Sequence, residues 1–185
     1  MEITNHYHNA SGGLRLMFIG QILMLVGLVL IWVPLLGSLL TIAGGVVEIV
    51  GLYRAGNDDQ GYRTAMIFQL IGVVVNVVAG FLDEGILNSI LSLASDVLGL
   101  MVVVQVCTTT GLLLHSVGNE ALSQRGSTVI KLYVACTVVS IVCGVLSVIP
   151  VVNIVAGLVS VVAAIAQVVG YVLYLMFLYG SSKAL

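Results

Sequence analysis

The stretch GSLLTIAGGVVEIVGLYRAGNDDQGYR, residues 37–63, decides the fold. Its apolar part carries one carboxylate, Glu48, and ends at Arg54, just before a glycine–asparagine–aspartate sequence. A continuous apolar run without period-two alternation is typical of a membrane helix and not of a barrel strand. The stretch therefore predicts a helix that crosses a bilayer, a short polar turn, and the start of a second helix.

The composition of the whole chain agrees with this prediction. Of 185 residues, 60% are hydrophobic and 8% are charged, which is too little polar surface to cover a soluble domain of this size. Apolar runs near the length that ~30 Å of hydrocarbon requires occur at 14–36, 37–53, 64–82, 86–114, 129–149 and 151–179. We therefore expect an all-α integral membrane protein with six transmembrane helices in a single helix-bundle domain, residues 1–185. The first run is expected to remain in the mature protein, because it is long and lacks a small-residue cleavage pattern.

The positive residues predict the orientation of these helices. All six fall on one side of a six-helix arrangement: Arg15, Arg54, Arg63, Arg125, Lys131 and Lys183. The opposite side holds Asp83 and Glu84 and no positive residue. By the positive-inside rule, both termini are expected in the cytoplasm of a multi-pass cell-membrane protein, in particular one of a bacterial plasma membrane.

A regular spacing divides the chain into three similar parts. Gly56, Gly118 and Gly180 are separated by equal intervals (118 − 56 = 180 − 118 = 62), and arginine follows the first two after seven residues, at Arg63 and Arg125. The pattern predicts three helical-hairpin repeats, at about 14–56, 63–118 and 125–180, an arrangement known from membrane transporters. The alternative is that glycine only ends helices and that arginine only collects at the interface.

Helix ends are predicted from proline and from capping residues. Proline gives up a backbone N–H, so Pro34 and Pro150 are expected to break the chain in turns on the side opposite the termini. On the side of the termini, N-caps are expected at Thr64 and at Ser127 or Thr128.

Glu48 is the first functional candidate, because an ionisable side chain at membrane depth is costly. It lies eight residues before Gly56, which places it about 12 Å inside its helix at 1.5 Å per residue. Gly44 and Gly51, one turn away on either side, form a face that is expected to pack against another helix.

A polar layer is predicted around Glu48 from Gln21, Gln69, Lys131 and Thr110. The first three lie at a similar depth on helices that start on the same side, and Thr110 is the equivalent of Glu48 in the second repeat. An ion pair between Glu48 and Lys131 is one alternative. The other is that Lys131 extends to the interface by itself, as long basic side chains do near helix ends.

Asp96 marks a polar stripe on the fourth helix, shared with Ser92, Ser95 and Gly99. Such a stripe either lines a water-accessible cavity or marks a tight helix contact, and Asp96 itself also fits a position at the headgroup level. Gln105 and Gln167 correspond to each other at the 62-residue interval and are added as hydrogen-bonding groups. The predicted ligand-binding residues are thus Glu48, Asp96, Gln69, Gln105 and Gln167.

These features predict a function without assigning a substrate. The sequence has no metal-ligand spacing, no phosphate-binding loop and no nucleophile motif, so no metal, cofactor or enzymatic activity is expected. A net charge of −2 without a basic cluster argues against nucleic acid as a partner.

The leading prediction is binding or transport of a small solute or ion, by the chain alone or as a subunit of a larger transporter. The main alternative is a non-transporting scaffold or assembly subunit in the lipid bilayer, with a membrane-protein partner or a second copy of the chain. An intramembrane enzyme ranks third, because no nucleophile and base can be paired. In size and topology alone, without a shared motif, the chain is similar to small substrate-capture subunits of vitamin importers.

Overall fold

The computed structural model describes residues 7–82, 85–146 and 153–185, and these residues form six α-helices. The helices are α1 (His8–Val29), α2 (Pro34–Ala55), α3 (Gln60–Gly80), α4 (Ile86–Ser116), α5 (Glu120–Leu146) and α6 (Asn153–Ala184). A short 3-10 helix, Leu30–Trp32, separates α1 from α2. Each of the six contains a segment long and apolar enough to cross a membrane. The prediction of an all-α protein with six such helices is confirmed.

Helix α2 begins at Pro34, as the sequence predicted, because proline has no N–H to donate and is tolerated in the first turn of a helix. The first predicted apolar run, 14–36, therefore spans a real helix break. The other predicted proline turn, at Pro150, and the acidic residues Asp83 and Glu84 lie outside the described residues.

Helix α3 begins about one turn earlier than predicted, and α5 begins more than two turns earlier. Asp59 caps α3 by accepting a hydrogen bond from the backbone N–H of Gly61 at 2.7 Å. Thr64 lies inside α3, where its hydroxyl donates to the carbonyl of Gln60 at 3.3 Å, and Thr128 lies likewise inside α5. The expected caps at Thr64 and at residues 127–128 are therefore wrong, because Asp59 and Asn119 already accept hydrogen bonds from N–H groups in the first turns of α3 and α5.

The six helices form a closed ring. Each helix packs against its neighbours in the sequence, and α6 packs against α1. At the contact that closes the ring, the Tyr171 hydroxyl donates to the backbone carbonyl of Gln21 at 2.8 Å. A ring of this kind leaves a space along its axis that all six helices can line.

Both ends of the described chain lie at the same end of the ring. The Ser11 hydroxyl of α1 donates to the Ser182 carbonyl of α6 at 2.6 Å. The Asn9 side chain donates to Asp58, in the turn between α2 and α3, at 2.8 Å. We call this end the terminal end, and the end that carries Leu30–Trp32 the distal end.

Glycines bring the backbones of α1 and α2 into direct contact. Every seventh residue of α1 is a glycine facing a glycine of α2, in the pairs Gly13 with Gly51, Gly20 with Gly44, and Gly27 with Gly37. A Cβ atom on Gly20 would lie 2.6 Å from the Gly44 carbonyl oxygen, closer than side chains allow. Small residues permit such close packing in lipid, and the seven-residue period matches a left-handed helix pair. We call these six residues the glycine seam.

The densest packing lies in the terminal half of the ring. Among the residues whose burial the structure describes, the largest fully buried side chains lie there: Leu14, Met17, Leu52, Tyr62, Val106, Leu114, Val129, Tyr174, Phe177 and Leu178. The outer surface carries many exposed apolar side chains, among them Trp32, Leu35 and Ile86. Such a surface is typical of a helix bundle surrounded by lipid.

The proposed repeat is only partly visible in the helix ends. Gly118 adopts a positive φ of 79° after α4, but Gly56 has a φ of −63° after α2. Gly180, which was expected to end the sixth helix, lies inside α6. Arg63 donates from Nε to the Gly56 carbonyl at 2.9 Å, which gives their seven-residue spacing a local cause. Triplication of a hairpin therefore remains a prediction.

Candidate functional site

A cavity of about 510 Å³ lies inside the ring, and residues from all six helices line it. On α4, the lining runs from Val103 to Leu93, away from the packed terminal half and toward the distal end. Its volume falls within the range of small-molecule pockets, roughly 300–1,000 Å³. We call it the central cavity.

Glu48 lies at the inner end of the central cavity, where its side chain is 2% exposed. The Gln21 amide donates to one carboxyl oxygen at 2.6 Å, and the Gln69 amide donates to the other at 3.2 Å. One carboxyl group thus joins α1, α2 and α3. The prediction that Gln21 and Gln69 surround Glu48 agrees with this geometry, and the two hydrogen bonds offset the cost of burying the carboxyl group.

The glycine seam explains why Glu48 fits between two closely packed helices. Gly20 packs directly on the backbone of Glu48, at 2.8 Å from an added Cβ to the Glu48 nitrogen. Gly44 and Gly51 occupy the same face of α2 one turn away. The expectation that this glycine-lined face packs against another helix is confirmed, and α1 is that helix.

Asp96 also lines the central cavity, at a different depth from Glu48. Two hydrogen bonds determine the register of α3 and α4: Tyr62 with Thr110 at 2.8 Å, and Asn76 to Ser95 at 2.7 Å. In that register Gln69 is level with residues 102–103, so Asp96 lies about 10 Å closer to the distal end at 1.5 Å per residue.

Gln167 lies between the central cavity and a second, apolar cavity of about 510 Å³ next to α1 and α6. Gln21, Met24 and Gln167 line both spaces. Leu25, Leu28 and Val168 form part of the apolar wall of the second cavity. Three side chains therefore separate the central cavity from a groove on the outer face of the ring.

Three predicted polar residues do not reach the central cavity. Gln105 lies nine residues from Asp96 on α4, which is two and a half turns, so it faces the opposite side of that helix. Lys131 is exposed, and no ion pair joins it to Glu48 within 4.0 Å in the described part of the chain. Thr110 is fully buried in the terminal half, where it shares its hydrogen bond with Tyr62. The alternative of a Glu48–Lys131 ion pair is therefore wrong, and the exposed Lys131 agrees with the other alternative, extension to the interface. The inclusion of Thr110 in the Glu48 layer is also wrong.

The wall that α5 contributes was not among the predicted site residues. Tyr133, Thr137 and Ser140 all line the central cavity. Their spacing of four and three residues places them on one face of a helix, so the signal was present in the sequence. The seven-residue spacing of the glycine seam was equally visible.

The polar lining of the central cavity contains acidic and amide side chains. Two carboxyl groups and three glutamine amides line it, from Glu48, Asp96, Gln21, Gln69 and Gln167. No lysine, arginine or histidine is found among its described lining residues. Such a lining complements a solute that carries positive charge or hydrogen-bond donors.

The fold and the cavity together define a class of protein: a helical bundle of six apolar helices, suited to a membrane, around an internal polar space. Comparison of the chain with models of protein families, with curated proteins and with solved structures finds no match in any of the three.

Proposed function

We propose that this chain is a multi-pass membrane protein that binds a small cationic solute in the central cavity and transports it, alone or as a subunit of a larger transporter. The observation that carries the proposal is the polar lining of the central cavity, which has a volume of about 510 Å³. Its described lining residues include two carboxyl groups and no basic side chain. That volume exceeds the needs of one bare ion and suits a small organic cation.

The proposed location is the cell membrane, in particular a bacterial plasma membrane, with both termini in the cytoplasm. Arg15, Arg54 and Lys183 lie around one groove at the terminal end, which supports this orientation under the positive-inside rule. The central cavity extends from the packed terminal half toward the distal end, so the solute would enter from the outside.

Ligand-induced stabilisation of the purified protein tests the proposal. Putrescine and succinate make a matched pair of probes, because both have four carbons but opposite charges. A ligand that binds the folded state at 100 times its Kd stabilises it by about 2.7 kcal/mol. We expect putrescine to raise the melting temperature in detergent and succinate to leave it unchanged. Equal stabilisation by succinate, or none by putrescine, would contradict a cation site.

A change in cavity volume provides a second test that leaves both carboxyl groups in place. A Cβ atom on Gly99 meets nothing within 4 Å, and Gly99 lines the central cavity, so Gly99→Leu fills the space without a backbone clash. Gly80→Leu is the matched control, because Gly80 is equally open but does not line the cavity. We expect Gly99→Leu and Asp96→Asn to abolish the putrescine effect and uptake into proteoliposomes, while Gly80→Leu preserves both.

A scaffold or assembly subunit is the second candidate, and one observation favours it. Both carboxyl oxygens of Glu48 already accept hydrogen bonds within the protein. In a scaffold, the role of Glu48 would be to align α1, α2 and α3. This function predicts that Glu48→Gln alters stability without altering any flux, and that a membrane partner or second copy co-purifies. Asp96→Asn and Gly99→Leu distinguish the two candidates, because neither change touches the Glu48 hydrogen bonds.

A further inference from the structure

A third cavity, of about 750 Å³, lies at the terminal end between α1, α2 and α6. Three arginine and lysine side chains from three different helices line it, Arg15, Arg54 and Lys183, and His8 lines it as well. Because the Ser11 hydroxyl bonds to the Ser182 carbonyl at 2.6 Å, the α1 and α6 walls are held together beside them. We call this space the basic groove.

The structure brings these cations together through specific contacts. A Cβ atom on Gly12 would lie 2.8 Å from the guanidinium carbon of Arg54, so the missing side chain allows Arg54 to lie across α1. The Lys183 ammonium lies 4.3 Å from the centre of the Tyr179 ring, in a cation–π arrangement. The convergence therefore depends on a glycine and a tyrosine as well as on charge.

No acidic side chain compensates these cations in the described part of the chain. Among the described residues, the one contact at ion-pair distance is between His115 and Glu120, at 4.0 Å, and none of the three side chains Arg15, Arg54 and Lys183 lies within 4.0 Å of a described carboxylate. Asp58, at the same end, instead accepts from the Asn9 side chain and from the Ala10 N–H. Like charges that share a groove repel one another, so an anion is the missing counterpart.

One wall of the basic groove is apolar. Leu16, Phe18 and Ile19 follow Arg15 along α1, and Phe18 packs on Tyr179 with ring centres 5.3 Å apart. Ile19 is 41% exposed on the outer surface. The groove thus passes from a cationic end to an apolar wall over about one turn of helix, which matches the change from headgroup to acyl chain at a membrane interface.

We propose that the basic groove binds an anionic phospholipid, with the phosphate between Arg15, Arg54 and Lys183 and an acyl chain along Leu16 and Ile19. A lipid and a free phosphate ion share the phosphate group that the basic side chains would bind. We assign the lipid because the apolar wall fits an acyl chain, which a free phosphate ion lacks. This site is separate from the central cavity and does not depend on the proposed transport function.

Native mass spectrometry of the protein released from nanodiscs tests the proposal. The nanodiscs contain phosphatidylglycerol and phosphatidylcholine in equal amounts, and retained lipids are counted. The wild-type protein should retain phosphatidylglycerol in preference to phosphatidylcholine. Each basic residue near a membrane surface contributes ~1 kcal/mol, or about fivefold in affinity. Arg15→Gln, Arg54→Gln and Lys183→Gln should therefore each reduce retention about fivefold.

Two further variants separate groove geometry from total charge. Arg125→Gln removes the same charge at the same end but outside the groove, so retention should not change. Gly12→Leu keeps every charge but displaces the Arg54 guanidinium, so it should match Arg54→Gln. A loss with Arg125→Gln equal to that with Arg54→Gln would overturn the proposal.

A competition experiment on the wild-type protein distinguishes a lipid phosphate from a free phosphate. Because it needs no substitution, it tests the proposal even if a variant fails to fold. Millimolar glycerol phosphate or inorganic phosphate should not displace the retained lipid, because neither contacts the apolar wall. Displacement by either, or equal retention of phosphatidylcholine, would overturn the assignment to an anionic lipid.

Discussion

Replacement of Gly44 by alanine tests the glycine seam, on which the position of Glu48 depends. The new Cβ would lie 2.6 Å from the Gly20 carbonyl oxygen, whereas ordinary contacts begin at 3.4 Å. The obstacle is backbone and not the end of a flexible side chain. The two helices would therefore have to separate locally by about 0.8 Å (3.4 − 2.6).

The expected magnitude follows from two opposing effects. Forcing an extra methyl group into a well-packed contact costs about 1–3 kcal/mol, while alanine gains about 1 kcal/mol over glycine in a helix interior. Gly45→Ala is the matched control, because it makes the same gain on the same helix and its Cβ meets nothing within 4 Å. The difference in unfolding free energy between the two variants should be about 1–3 kcal/mol, in favour of Gly45→Ala.

Unfolding in mixed micelles with increasing denaturing detergent, followed by circular dichroism, measures this difference. Gly20→Ala should act like Gly44→Ala and in addition weaken the 2.6 Å hydrogen bond between Gln21 and Glu48, because Gly20 packs on the Glu48 backbone. Equal stabilities of Gly44→Ala and Gly45→Ala would refute the close packing of α1 and α2.

Two more contacts make separate predictions. Asp59→Ala should cost about 1 kcal/mol of stability by removing the cap on the Gly61 N–H, whereas Asp59→Asn, which keeps an acceptor oxygen, should be near wild type in the same unfolding assay; equal losses would contradict the cap. Tyr62→Phe should cost about 1–3 kcal/mol by leaving the buried Thr110 hydroxyl without its partner, and Tyr62→Phe with Thr110→Val should cost less than the sum of the single changes. Strict additivity of the two would show that their hydrogen bond contributes nothing.

Four of the five predicted ligand-binding residues line one cavity. The fifth, Gln105, does not, because of its position around the helix. Glu48, Gln69, Asp96 and Gln167 line the central cavity, but Gln105 does not. Gln105 was chosen by its correspondence to Gln167 at a fixed interval along the chain, which says nothing about its angle around α4. Because nine residues rotate a helical position by half a turn relative to Asp96, periodicity within α4 alone argues against it.

The Glu48–Lys131 alternative failed for a similar reason. It rested on depth in the membrane, but the face of α5 that lines the cavity carries Ser140, nine residues away from Lys131 and half a turn around the helix. Depth limits which residues can meet, but only the rotation of each helix decides which of them do.

The sequence by itself determined that this protein consists of six apolar helices, with a break before Pro34 and a carboxylate inside the second helix. These properties are local: apolar runs, proline and the need to pair backbone groups within each segment act over a single helix. Only the tertiary structure decided that the helices close into a ring, that Gln21 and Gln69 hold Glu48, and that Asp96 shares its cavity. Those features depend on the rotation and register of helices distant in sequence, which side-chain packing along contacts such as the glycine seam determines.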